Sequence, residues 1–191
     1  MAKLIGINLG CGRDYREGWI NVDNKQMYNG DFKVDVEGDF KEFTIKDGTV
    51  DVILANHIIQ YVTPSEMDIL LTRWYGWLKD GGSIYIEAGN ILEVCKNILE
   101  AQTVDDLHNK DGIMQLYGID NNIWNKWAWC PASLTQAMDK VGFKELFTGP
   151  GYFHYNRDRD FITVGYKNPT TVPEVPSLLD YDKNLCYLSK R

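Results

Sequence analysis

Apolar residues along the chain fall in short runs separated by turn residues: Leu4–Leu9, Trp19–Val22, Phe32–Val36, Val50–Ala55 and Ser83–Ala88. Little in these runs alternates strictly between apolar and polar, which is how strands buried on both faces read, so they predict a parallel sheet. Between the last two lies a helical period. Thr63-Pro64-Ser65-Glu66 offers an N-cap, a proline at the first helical position and a capping-box acid. Met67, Leu70, Leu71, Trp74 and Leu78 follow at spacings of three and four, and Asp80-Gly81-Gly82 stops the helix. Strand, helix and strand in that order make a right-handed crossover unit.

The texture changes after Ala88. Ile91 to Ala101 reads as a helix, and the polar and aromatic stretch from about 102 to 129 reads as an insertion or cap. Pro131 to Val141 resumes helical spacing and stops at Gly142, while Phe143–Thr148 and Asp160–Tyr166 form a closing strand pair. Pro169, Pro173 and Pro176 then break every period, so the expected organisation is one domain over 1–166 and a proline-containing tail over 167–191. Strands interleaved with helices predict an α/β, doubly wound sheet.

Composition narrows the function. At 191 residues a single core is expected. Nowhere do about 18 uncharged apolar residues run together, so no membrane helix is expected. The start Met1-Ala2-Lys3-Leu4 has none of the layout of a secretory signal, and the cytoplasm is the expected location. Twenty-seven acids against 20 bases, a net charge of −7, disfavour a nucleic-acid partner. The four cysteines are scattered without a C-x-x-C pair, so neither a zinc cage nor a disulfide framework is expected. His108 and His154, with Asp106 and Asp158 nearby, lack metal-ligand spacing, and no metal is expected. Arg157-Asp158-Arg159-Asp160 reads as a solvated turn before the final strand.

Candidate chemistry gathers at the strand ends, because an open doubly wound sheet binds ligands beyond the carboxyl ends of its strands. Gly10 and Gly12 end the first strand, Asp23 the second, Asp35-Val36 the third and Asn56-His57 the fourth. Glycines let backbone approach a ligand closely, and a carboxylate at the second tip can accept from the vicinal hydroxyls of a ribose. Asp23 as a helix cap and Asp35 as a solvated loop acid are the competing uses. A dinucleotide fits poorly, since the third glycine position of its fingerprint holds Tyr15 and Asp23 follows Gly10 by only thirteen positions. Cys11 is assigned a packing and backbone role. His57 is the titratable group expected beside the reacting centre, as a base near neutrality or simply as a hydrogen-bonded helix-start histidine.

The ordered series "LIGINLGCG", "GWINVD", "VDVILANHIIQYV", "WLKDGGSIYIEAGN" and "YG…KWAWCPASLTQAMDKVGF" resembles the class I S-adenosylmethionine-dependent methyltransferases, over roughly residues 3 to 166. More narrowly it resembles small methyltransferases with a compact Leu-Asn-Leu-Gly-Cys-Gly loop followed by Gly-Trp-Ile-Asn-Val-Asp. The resemblance implies a seven-stranded sheet of order 3-2-1-4-5-7-6 with the last strand antiparallel. It implies S-adenosylmethionine with its methionine end over Gly10, Cys11 and Gly12, ribose on Asp23 and adenine against Asp35 and Val36. Asn56 and His57 would lie beside the methyl, and S-adenosylhomocysteine would be the product. Asn8 stands where many members carry Asp, so it would position water near the cofactor's amino group without supplying charge. Asn56 is not followed by Pro-Pro-aromatic, which lowers nucleobase and glutamine amides as substrates. The expected reaction is methyl transfer to a small-molecule or sugar-containing acceptor, with a non-catalytic S-adenosylmethionine-binding or regulatory protein as the alternative. Tyr117, Trp124, Trp127 and Trp129 would form an aromatic wall or cover the core.

Overall fold

A computed structural model describes residues 4–26, 30–109, 111–118, 124–154 and 156–170. Seven strands form one sheet: β1 (Gly6–Leu9), β2 (Ile20–Asp23), β3 (Val36–Glu37), β4 (Val50–Asn56), β5 (Leu78–Gly89), β6 (Lys144–Pro150) and β7 (Asp160–Tyr166). Their order is β3-β2-β1-β4-β5-β7-β6, with β1 to β5 parallel and β7 antiparallel to both of its neighbours. This is the expected order. The third strand is much shorter than the apolar pattern from Phe32 implied, two residues rather than five.

The central strands are buried on both faces, as their unbroken apolar runs require. Successive residues alternate sides, so Ile53 and Ala55 join one core while Val52 and Leu54 join another. The first core is closed by α1 (Pro64–Trp77), through Met67, Leu71 and Trp74, and by Leu134 and Met138 of a later helix (Pro131–Val141). The second is covered in part by Trp19, Tyr152 and Phe153, which come from loops.

Local signals behave as their chemistry dictates. Thr63 Oγ1 accepts from Glu66 N–H, and Glu66 Oε2 accepts from Thr63 N–H at 2.7 Å, so the capping box forms and Pro64 starts α1. The helix ends at Trp77, one residue before the expected Leu78, because Leu78 pairs with Val50 in the sheet. The segment after β5 contains α2 (Ile91–Glu100), α3 (Val104–His108) and α4 (Met114–Tyr117), and the helix over Pro131–Val141 is α5, ending at Gly142 with φ +113°. Trp129 is buried and donates from Nε1 to Ile59 O, whereas Tyr117, Trp124 and Trp127 are exposed, so the aromatic group divides. Of the expected tail, only 167–170 lies within the described residues.

Parallel register brings the carboxyl ends of β1, β2, β4 and β5 together: Leu9 faces both Val22 and Ala55, and Asn56 faces Glu87. Because β7 runs the other way, its first residue, Asp160, arrives at that same edge opposite Gly89.

Candidate active site

The connection from β1 to β2 is only residues 10–19, shorter than the dozen or more that a parallel crossover usually needs. Buried side-chain amides replace the missing helix. Asn8 Nδ2 donates to Asp14 O (2.6 Å) and Asn21 Oδ1 (3.3 Å), and Asn21 Oδ1 also accepts from Arg16 N–H (2.8 Å). Asn8 is thus committed to the loop. Gly10 has φ +61°, and a Cβ there would stand 2.1 Å from Ile58 Cγ2, so any other residue would displace the segment after β4. Cys11 donates from its backbone N–H to Val22 O, and its Sγ contacts Gly12 O. Burial, reinforced by Asp23 and Asp14, pushes the Cys11 thiol up to about 12, so it remains protonated and structural.

Asp23 at the β2 tip grips the glycine loop. Its Oδ2 accepts from Gly12 N–H at 2.9 Å and its Oδ1 from Lys25 N–H at 2.8 Å. A carboxylate has about four acceptor positions, so capacity remains for further donors. Asp35 faces elsewhere: Oδ2 accepts from Asn21 N–H and Nδ2–H, each at 2.8 Å, and Oδ1 from the Tyr15 hydroxyl at 2.8 Å. The Asn21 bonds, with that of Tyr15, hold its carboxyl below the ordinary range. Asp35 therefore ties β3 to the β1–β2 loop, and Val36 follows it, partly exposed, on β3.

The β4 tip carries two unusual residues. Asn56 Oδ1 is a buried acceptor with no partner among the described residues. His57 has φ +51°, a left-handed conformation that costs a non-glycine residue about 1 kcal/mol or more and concentrates at functional sites. The surroundings impose it: His57 N–H donates to Glu87 O (2.8 Å), and Gln60 Nε2 donates to His57 O (2.8 Å).

Beyond His57 lies a cluster that sequence reading passed over. Asp160 Oδ2 is 3.1 Å from His57 Nε2 and 2.6 Å from His154 Nδ1. Arg159 grips the same carboxylate with Nε on Oδ1 (2.7 Å) and Nη2 on Oδ2 (3.0 Å), and reaches Asp111 Oδ1 with Nη1 (2.9 Å). The expectation of a solvated turn is corrected here, because Arg159 and Asp160 are 2% and 3% exposed. Burial alone would raise the Asp160 carboxyl, but hydrogen bonds from His154, His57 and Arg159 hold it well below its usual value. Burial lowers the His154 imidazole, against the pull of Asp160. Glu87, fully buried on β5, accepts from the backbone N–H groups of Tyr152 (2.5 Å), Phe153 (2.7 Å) and His154 (2.6 Å). Burial pushes its carboxyl up, and those three N–H groups oppose the rise.

His57 and His154 lie 103 and 6 positions from Asp160, so no local spacing rule could find the trio. One signal was available: Asp160 opens the run Phe161–Tyr166, whose lack of polar alternation marks a strand buried on both faces and therefore a buried first residue. Beside the cluster, a cavity of about 450 Å³ is lined by Glu93, Lys96, Asn97, Asp111, Asn156 and Arg159, among others.

Residues 8–86, which hold every tip from β1 to β4, match the family described as "Methyltransferase domain". Among curated proteins, phosphoethanolamine N-methyltransferase 1 of Arabidopsis thaliana is 36% identical over 44 residues, 23% of this chain and 9% of that protein. The match thus spans about a tenth of the relative's length. Among solved structures, a SAM dependent methyltransferase from Archaeoglobus fulgidus superposes with a TM-score of 0.60 at 17% identity, covering 86% of each chain. A putative S-adenosylmethionine dependent methyltransferase from Listeria monocytogenes gives 0.60 at 15%, covering 86% of this chain and 91% of that one. The sheet order and these superpositions show the fold of S-adenosylmethionine-dependent methyltransferases, and the family model matches residues 8–86. Among the described residues no helix is long and apolar enough to cross a membrane.

Proposed function

We propose that this chain transfers a methyl group from S-adenosylmethionine to a small-molecule or sugar-containing acceptor. The observation that carries the reading is the grip of Asp23 on Gly12, which sets a carboxylate and a bare-backbone loop side by side at the tips of β1 and β2. The residues suit the cofactor: Asp23 has acceptor capacity for a ribose, and the orphaned Asn56 Oδ1 is an acceptor in need of a donor such as the methionine ammonium group. Gly10, Cys11 and Gly12 would take the methionine end and Val36 would flank adenine. The other proposed cofactor residues, Asn8 and Asp35, act by shaping the loop, since their side chains already hold it. When bound, the cofactor supplies a methyl carbon on a positively charged sulfur, an electrophile activated before it reaches the protein. What remains for the chain is to orient the partners, exclude water and take a proton at His57 where the acceptor carries one. The 44 residues shared with the Arabidopsis enzyme are too few to bring that protein's acceptor along.

Calorimetric titration with S-adenosylmethionine tests the proposal. Wild type should bind, and Asp23→Ala should weaken binding about tenfold to a hundredfold, the loss expected for one or two hydrogen bonds to a charged group. Absence of heat with the wild-type protein would sink it.

A further inference from the structure

Two histidines from distant segments converge on one buried carboxylate, and binding a methyl donor requires neither of them. The three ligand-type atoms of His57, His154 and Asp160 lie within 4.8 Å of one another, so a metal ion and a proton network are both conceivable occupants. Distance decides. Neighbouring ligand atoms in a tetrahedral site with bonds of about 2.0–2.1 Å stand about 3.3 Å apart, whereas His154 Nδ1 to Asp160 Oδ2 is 2.6 Å, the approach of a short hydrogen bond. Arg159 Nη2 also sits 3.0 Å from Asp160 Oδ2 and 3.2 Å from His154 Nδ1, placing a fixed cation against two of the three atoms. The carboxylate already has its counterion.

A proton network fixes both tautomers. Asp160 is ionised and accepts only, so His57 donates through Nε2–H and His154 through Nδ1–H. His57 is left with its lone pair on Nδ1. Nη2–H of Arg159 and Nδ1–H of His154 are both donors, so their 3.2 Å approach is contact, and both protons point at Asp160. The Asp160 side chain is fully buried while those of His57 and His154 are 18% and 26% exposed, and the two imidazole rings lie 4.2 Å apart between centroids. The adjacent Ile58 rests on Gly10, which puts His57 next to the proposed cofactor loop.

Resting on the methyltransferase reading, we propose that His57 is the catalytic base, held by Asp160 with His154 and Glu87 as positioning residues. The acceptor's reacting group therefore carries a proton at neutral pH that must be lost for reaction, as a hydroxyl or an ammonium does. In the step, the acceptor atom bonds to the methyl carbon as the carbon–sulfur bond breaks, its electron pair staying on sulfur. A hydroxyl gives its proton to His57 Nδ1 as its oxygen attacks, whereas an ammonium gives one to His57 Nδ1 first and so exposes the lone pair that attacks; in either case the proton leaves later to solvent. The imidazolium so formed faces Asp160 and, on the opposing side, Arg159 and His154; Asp111 balances Arg159, and Glu87 fixes the backbone of residues 152–154. Burial also keeps the His154 imidazole neutral, so it adds no second positive charge beside His57 at neutral pH.

The test starts with nitrogen-15 NMR of the imidazoles in full-length wild-type protein near pH 7.5, which needs no variant. His57 should carry its proton on Nε2 and His154 on Nδ1, and Asp160→Asn should mix the tautomers of both. Labelled S-adenosylmethionine with ethanolamine, catechol and 2-mercaptoethanol as probe acceptors then reads the chemistry. Methylation of the amine or the phenol supports the proposal and distinguishes the two nucleophiles, with His57→Asn lowering kcat about 100- to 10,000-fold at unchanged KM and removing the acid limb of the pH profile. If no probe is methylated, the tautomers alone decide. A proton on His57 Nδ1, a His57→Asn variant with wild-type kcat, or stoichiometric Zn²⁺ lost in Asp160→Asn would each overturn it. Adding S-adenosylmethionine to the same sample separates the two readings: unmoved Gly10 and Gly12 amides would count against methyl transfer while the tautomer result stands.

Discussion

At the scale of single residues, Asp160 concentrates the electrostatics of the site. Its carboxyl is held below the unfolded value of about 3.9, so the stability it contributes is present above that pH and is lost as pH falls toward the folded value. His154 acts in the same direction from a higher starting point: its imidazole is lowered by burial, so folding is weakened as pH drops below the unfolded value of about 6.5. The stability gap between wild type and Asp160→Asn should therefore be full above about pH 5 and shrink below about pH 4. Urea unfolding at a series of pH values measures it, and a gap independent of pH would contradict the assignment. This residue was also the hardest to foresee. The turn at Gly10 was legible because the positive φ that demands a glycine is local. Asp160 sits in an Arg-Asp-Arg-Asp run whose ordinary use is solvation, and only long-range pairing buries its second half.

Elements explain why that burial holds. Three consecutive backbone N–H groups of the β6–β7 connection converge on Glu87, a buried carboxylate near the carboxyl end of β5, and carry His154 to Asp160. Replacing Glu87 by Gln keeps the volume and turns one acceptor oxygen into a donor facing backbone donors. The variant should lose about 1–3 kcal/mol in denaturant unfolding and blur the His154 imidazole signal, while S-adenosylmethionine affinity stays within about threefold of wild type. A variant with wild-type stability would show that the clamp is incidental. Element boundaries were legible where a cap or a buried run set them, as at Thr63, Gly142 and β7. They were not where pairing alone decides: β3 shrank to two residues because Asp35 just before it turns to Asn21, and α1 stopped where Leu78 entered the sheet.

For the whole molecule, sheet order makes distant segments share one edge. The tips of β2, β1 and β4 meet across adjacent parallel strands, and the start of β7 reaches the same edge through β5, so the proposed site is assembled from strands distant in sequence. A ligand that needs all of these tips stabilises the entire fold by mass action: at one hundred times its dissociation constant, about 2.7 kcal/mol. For a domain of this size each kcal/mol moves the midpoint by about 2–4 °C, so S-adenosylmethionine at that excess should raise a single melting transition by about 5–10 °C. Asp23→Ala, if its affinity is about tenfold weaker, should gain only about half as much at the same concentration. Thermal unfolding followed by near- and far-ultraviolet circular dichroism reads both. Two separable transitions, with only one responding to the ligand, would mean that the site belongs to a smaller folding unit than the sheet.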